Sequence, residues 1–219
     1  TGNCSYCAIK HAHGKFKSEP IEQIVKEAKM GLEKGFKEIA LTGEDLGGYG
    51  IDIDTDLAEL LKAVVAIPGD YQVNIRFIDP YWLLRLQDKL MPVFETGKVK
   101  AFCAPAQSGS DRILKLMNRR YTFESLKKAI NEIMRKTKVG MISTNIIVGF
   151  PGETRDELQE SLRLISEVDF GMYMSFRYED RPGTKASELP DKISEAEKHY
   201  RWGIVHRAST RKHARNLIF

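Results

Sequence analysis

Short apolar runs alternate with amphipathic helical stretches from Pro20 almost to the end of the chain, and this alternation limits the fold more than any other feature of the sequence. Strand patterns occur at Lys37–Thr42, Tyr71–Phe77, Val99–Ala104, Met141–Val148 and Met172–Arg177. Helical patterns fill Pro20–Lys34, Asp56–Ala66, Tyr81–Leu90, Asp111–Met117, Thr122–Lys136 and Thr154–Glu167, and a last one opens at Ser194. Ser18, Thr122 and Thr154 are N-cap candidates, and Gly35 stands just past the end of the first helix. Strands that alternate with helices pair in parallel through right-handed crossovers. A complete eight-stranded barrel takes about 250 residues. Five strands in 219 residues therefore predict a partial α/β barrel, with a sixth, N-terminal strand missing ahead of Cys4. Residues 1–190 read as one core domain cut at its N-terminus, and 191–219 as a basic helical segment of the same domain.

Other function classes are thinned by composition. Hydrophobic residues make up 42% and charged residues 29%, and no run of 18 apolar residues offers a membrane span. Residues 1–10 lack the apolar core of a secretory signal. Three cysteines, Cys4, Cys7 and Cys103, argue against a secreted disulfide framework and for a reduced, cytoplasmic setting. Net charge is only +4, yet no acid occurs from Lys198 onward, where Lys198, Arg201, Arg207, Arg211, Lys212 and Arg215 stand with three histidines. Such a tail is expected either to meet phosphates or to be an exposed helix face.

The chemistry begins at Cys4-Ser5-Tyr6-Cys7. Two thiolates spaced CxxC chelate one metal centre, and zinc, redox and cluster readings compete for the pair taken alone. A thioredoxin motif caps its helix directly, whereas here about ten loop residues intervene. Cys103 reads as a buried strand residue, and His11 and His13 as surface histidines of a basic loop.

Longer motifs set the context. The loop Thr1–Lys10 resembles the CxxxCxxC cluster loop of radical S-adenosylmethionine enzymes, with Tyr6 at the usual aromatic place and the first cysteine falling just before Thr1. Leu41–Leu46 with Tyr49-Gly50, Pro105–Asp111, Met117–Tyr121, Asn145–Thr154 and Phe176–Thr184 resemble successive segments of the methylthiotransferases within that superfamily. Departures from the pattern are Glu44 for Gln, Asn145 for Asp and Cys103 for a frequent His. The resemblance implies a 4Fe–4S cluster held by Cys4 and Cys7 together with the absent third cysteine, so that residues 1–219 alone are expected to hold it poorly and to be inactive. It implies S-adenosylmethionine contacts at Tyr6, Thr42, Gly43, Glu44, Gln107, Arg119, Asn145, Val148 and Gly149. Within these, the carbonyl near Thr42 or Gly43 would suit the methionine ammonium, Gln107 the ribose, Arg119 the carboxylate and the backbone near Val148 the adenine.

The reaction so implied is transfer of a methylthio group to C2 of an N6-modified adenosine in tRNA, with the anticodon stem–loop as partner. Arg181, in Arg181-Pro182-Gly183-Thr184, favours the tRNA-modifying group over its ribosomal-protein-modifying sister and is the candidate substrate residue. Family members of full length carry an N-terminal domain with a second cluster and a C-terminal RNA-binding domain, neither of which is present in these residues. The rival readings are the sister group, another radical enzyme, or a cluster-free scaffold that binds RNA through its basic tail.

Overall fold

A computed structural model describes residues 2–9, 12 and 14–218, with side chains as far as Ala214. His11, His13 and the side chain of Arg215 lie outside the described residues. Five strands, β1 (Glu38–Leu41), β2 (Gln72–Ile75), β3 (Val99–Cys103), β4 (Met141–Val148) and β5 (Met172–Arg177), form one parallel sheet in sequential order. Between them run α1 (Ile21–Glu33), α2 (Leu57–Val65), α3 (Pro80–Arg85), α4 (Gln87–Glu95), α5 (Asp111–Leu116), α6 (Phe123–Lys136) and α7 (Arg155–Glu167), and α8 (Glu195–Ile218) follows β5. This singly wound, five-stranded parallel α/β sheet is consistent with a partial barrel, and among the described residues no strand precedes β1.

Strand alternation decides the two faces of the sheet. In β4 the side chains of Ile142, Thr144, Ile146 and Val148 are buried toward the helices, while Asn145 and Ile147 are half-buried on the other face. The helix side is packed by Leu57 and Leu61 of α2, Leu90 and Phe94 of α4, Ile130 and Ile133 of α6, and Leu164 of α7. Phe94 stacks on Phe102 of β3 with ring centroids 5.3 Å apart. On the opposite face, pairing of Ile147 with Phe176 and of Asn145 with Met174 sets those four side chains in one open patch.

Thr122 and Thr154 cap α6 and α7 in reciprocal capping boxes, which typically contribute about 1 kcal/mol each. Ser18 does not cap α1, whose first turn follows Pro20. Its N–H instead donates to Asp52 at 2.9 Å, and its hydroxyl accepts from the Gly50 N–H at 2.9 Å, fastening the loop after β1. The expected single helix over Tyr81–Leu90 is two helices that meet at Leu86, and the second continues through Pro92. Burial of Val93 and Phe94 outweighs the cost of a proline inside that helix.

The start of the C-terminal segment fits neither expectation, phosphate contact or an exposed helix face. Lys198 and Arg201 are buried, and their charges are met by Glu195, Glu197 and Glu153. Arg207 and Arg211 are exposed. Trp202 donates its indole N–H to the Ser175 carbonyl at 3.0 Å and so seats α8 against β5.

Candidate active site

The carboxyl ends of the strands meet the cysteine loop. That loop turns through a Cys7 N–H to Cys4 carbonyl bond and is held by the last turn of α5. Helix ends leave carbonyls without partners. Here Ser5 meets two of them, donating its N–H to Met117 O at 3.1 Å and its hydroxyl to Leu116 O at 2.7 Å. Asn118, at φ 58°, donates its side-chain amide to Asn3 O at 2.7 Å. The Ser5 carbonyl accepts from the Ala186 N–H at 2.9 Å, tying the loop to the segment after β5. Tyr6 packs edge-on against Phe150 over a small core that includes Met117 and Tyr178, and burial pushes its phenol well above the ordinary value. Cys4 and Cys7 are both half-buried, and Cys103 is buried in β3.

Arg119 stands behind Cys4. Its Nη1 lies 2.7 Å from Asp79 Oδ2 and donates to Cys4 Sγ at 3.2 Å. Nη2 donates to Pro105 O at 2.8 Å and Nε to the Tyr121 hydroxyl at 3.2 Å. The guanidinium, only 5% exposed, thus joins the cysteine loop to the ends of β2 and β3.

Beyond β3 the chain kinks at Gln107, a non-glycine residue in the left-handed region at φ 66°. Its N–H donates to Asn145 O at 2.7 Å and its carbonyl accepts from the Ile147 N–H at 2.8 Å, so the kink is stitched to β4. The side-chain oxygens of Gln107 and Asn145 are buried with no hydrogen-bond partner among the described residues. Such groups cost about 1–3 kcal/mol unless something donates to them. The following Ser108–Asp111 segment is welded to α7. Gly109 passes so close that an added Cβ would lie 2.2 Å from the Glu160 carbonyl oxygen. Glu157 accepts from Ser110, Arg112 and Thr154. Burial alone would raise its carboxyl, but those donors prevail and hold it at about 2.

The turn after β4 is fixed from α8. Gly149, at φ 75°, donates its N–H to Glu153 Oε2 at 2.8 Å, and Arg201 Nη1 meets the same oxygen at 3.0 Å and Glu153 O at 2.6 Å. Burial raises the Glu153 carboxyl above its ordinary value, against the lowering by Gly149 and Arg201. The Val148 carbonyl accepts from Tyr178 N–H at 2.8 Å. Thr42, Gly43 and Glu44 follow β1 and are exposed. Arg181 is 58% exposed on its side chain and pairs with Glu179 at 2.9 Å.

A cleft of about 290 Å³ opens over the exposed face of β4 and β5, lined by Tyr6, Gln107, Asn145, Ile147, Phe176, Arg177, Tyr178, Glu179 and Arg181. It gathers Tyr6, Gln107, Asn145 and Arg181 from the expected set and leaves Cys4, Cys7, Thr42, Gly43, Glu44, Arg119, Val148 and Gly149 outside its lining. Asp79 escaped the sequence and is visible only through its contact with Arg119. Phe176 opens the Phe176–Thr184 motif, but its place in the cleft comes only from its register with Ile147.

Residues 1–165 match the model of the Radical SAM superfamily. The chain belongs to that superfamily. Among its curated relatives is a probable threonylcarbamoyladenosine tRNA methylthiotransferase of Pyrococcus abyssi, 39% identical over 84% of this chain and 44% of the relative. The threonylcarbamoyladenosine tRNA methylthiotransferase MtaB of Thermotoga maritima is 36% identical over 92% and 46%. The ribosomal protein uS12 methylthiotransferase RimO of Thermosipho africanus is 38% identical over 88% and 45%. The chain spans less than half the length of these relatives. In fold it resembles the radical S-adenosylmethionine methyltransferase TsrM of Kitasatospora setae, with TM-score 0.67 at 16% identity, covering 84% of this chain and 36% of that one. It also resembles the coproporphyrinogen III oxidase HemN of Escherichia coli, with TM-score 0.64 at 15% identity, covering 95% and 50%.

Membership of the radical SAM superfamily implies a 4Fe–4S cluster and S-adenosylmethionine as cofactors. The residues present fit them. Two half-buried thiols flank Tyr6 of the cleft lining, and two of the lining residues, Gln107 and Asn145, carry buried amide oxygens that need donors. Among the described residues no group of three His, Cys, Asp or Glu side chains converges on a metal site. No helix among them is long and apolar enough to cross a membrane.

Proposed function

We propose that this chain is the catalytic core of a tRNA methylthiotransferase that places a methylthio group on C2 of N6-threonylcarbamoyladenosine in the anticodon stem–loop, in the cytoplasm. The observation that carries the reading is the pair of unpartnered amide oxygens on Gln107 and Asn145 in a cleft bounded by the cysteine loop, in a chain with curated relatives from Pyrococcus abyssi and Thermotoga maritima that carry that activity in their names. When bound, the cluster and S-adenosylmethionine supply reductive cleavage to a carbon radical that abstracts hydrogen from an unactivated position. Cys4 and Cys7 would ligate the cluster. The Gln107 oxygen would accept from a ribose hydroxyl and the Asn145 oxygen from an N–H of the cofactor.

Thr42, Gly43 and Glu44 would take the methionine ammonium, the backbone of Val148 and Gly149 the adenine edge, and Arg119 would stand at the carboxylate side. Ile147 and Phe176 would exclude water, and Phe176, 48% exposed, gives a splayed base a ring to stack on. Arg181 would sit at the rim, exchanging its solvent-exposed partner Glu179 for substrate. The core domain would comprise residues 1–190, with 191–219 completing it.

Mass spectrometry of tRNA nucleosides tests this, after the full-length gene is expressed in a host lacking its own methylthiotransferases. The expected product is 2-methylthio-N6-threonylcarbamoyladenosine. A mark confined to a ribosomal protein, or to an adenosine with an apolar N6 group, would overturn it.

A further inference from the structure

We propose that Arg119 is a positioning residue that sets the reduction potential of the cluster through its N–H bond to the Cys4 sulfur. The inference rests on Cys4 being a cluster ligand. Every other bond that Arg119 makes is to the scaffold. Asp79 fixes Nη1 from the end of β2, Pro105 O fixes Nη2 from the end of β3, and the Tyr121 hydroxyl fixes Nε. Tyr121 is itself held by Ala106 O at 2.8 Å. With its plane determined on three sides and 5% of its side chain exposed, the guanidinium has one contact to the cysteine loop, the 3.2 Å approach to Cys4 Sγ. The Tyr6 hydroxyl also bonds to that sulfur, but as a neutral donor it brings no net charge.

Hydrogen bonds to cluster sulfurs and local charge are among the terms that set cluster potentials. The reduced cluster carries one more negative charge than the oxidised one. A cation that never deprotonates, held in a region of low dielectric, therefore favours the reduced form. Asp79 opposes it, because its carboxylate lies against the same Nη1. Arg119 and Asp79 thus form a matched pair whose two members act on the potential with opposite signs. An ion pair too far from the cluster to act on it would cost stability when either partner is removed and leave the midpoint unchanged.

The test is an EPR-monitored redox titration of the full-length protein after anaerobic reconstitution with iron and sulfide. Arg119→Met is expected to shift the reduction equilibrium about tenfold toward the oxidised cluster, a midpoint lower by about 59 mV for one electron. Arg119→Lys keeps the charge and should recover most of that shift. Asp79→Asn should move the midpoint the other way, with the asparagine still able to accept from the Tyr81 N–H that Asp79 now caps at 3.0 Å. Unchanged midpoints in loaded Arg119→Met and Asp79→Asn proteins would overturn the proposal. If Arg119→Met takes up no cluster, the sign of the Asp79→Asn shift decides alone. Cys4→Ala separates the two layers. Loss of iron there supports the ligand assignment, and full retention of iron removes it and the proposal with it.

Discussion

The turn after β4 and the loop after β1 both follow strand ends of one parallel sheet, but they are held by different means. After β4, Gly149 is bonded to Glu153, which is fully buried and paired with a buried Arg201 from α8. After β1, Thr42, Gly43 and Glu44 are exposed at an edge strand of four residues, and the loop is anchored at Asp45, which accepts from the Gly47 and Asp79 N–H groups. One half of the rim is over-determined by buried charge and the other rests on a few loop bonds. Contacts with the first half can demand fixed geometry of a ligand, whereas those with the second can follow it.

Arg201→Met is expected to break this contrast most severely. Removing one partner of a buried pair leaves an uncompensated charge and typically costs about 3–5 kcal/mol, readable as a lower urea midpoint. Gly109→Ala comes next. Its Cβ would meet helix backbone at 2.2 Å, and such overpacking costs about 3 kcal/mol at the upper end of the usual range, visible in thermal unfolding.

Glu157→Gln sharpens the comparison through pH. The folded carboxyl sits at about 2 against an ordinary 4.5, so its stabilisation is present above pH 4.5 and is lost as pH falls toward 2. The wild type should show that acid limb in stability measured between pH 5 and 2. The variant should lack it, by on the order of 2 kcal/mol once screening at the half-exposed Arg112 is allowed for. Glu153, raised by burial, carries the opposite sign. Its contribution is full at low pH and is lost as pH rises through its folded value. Smallest of all, Glu44→Gln on the exposed loop should change stability by no more than about 0.5 kcal/mol.

Local physics made much of this readable in the sequence. Thr122 and Thr154 announced their helices because a cap and the apolar run behind it lie within a few residues, and β4 was bounded by its own apolar pattern. What failed to show was long-range. Ser18 looked like a cap because nothing nearby reveals Asp52 as its partner. Leu86 ends one helix and starts another without a glycine or proline to mark it. The acid-free tail read as either phosphate-facing or an exposed helix face because the acids that answer Lys198 and Arg201 lie before it, at Glu195, Glu197 and Glu153. In the cleft, Gln107 and Phe176 both stand in motifs, but Phe176 gains its place beside Ile147 from a partner strand, and Asp79, with no local signature, gains its own from a distant arginine.

The Glu153–Arg201 bond also has a history in time. Arg201 follows Glu153 by 48 residues. At about 5–20 residues per second, a ribosome takes roughly 2–10 s to pass from one to the other. For the first part of that interval β5 is still to be made, and until its end the carboxylate beneath the turn at Gly149 lacks its counter-charge and favours water. The site is therefore unlatched while it is being made, and the arrival of the last helix closes it.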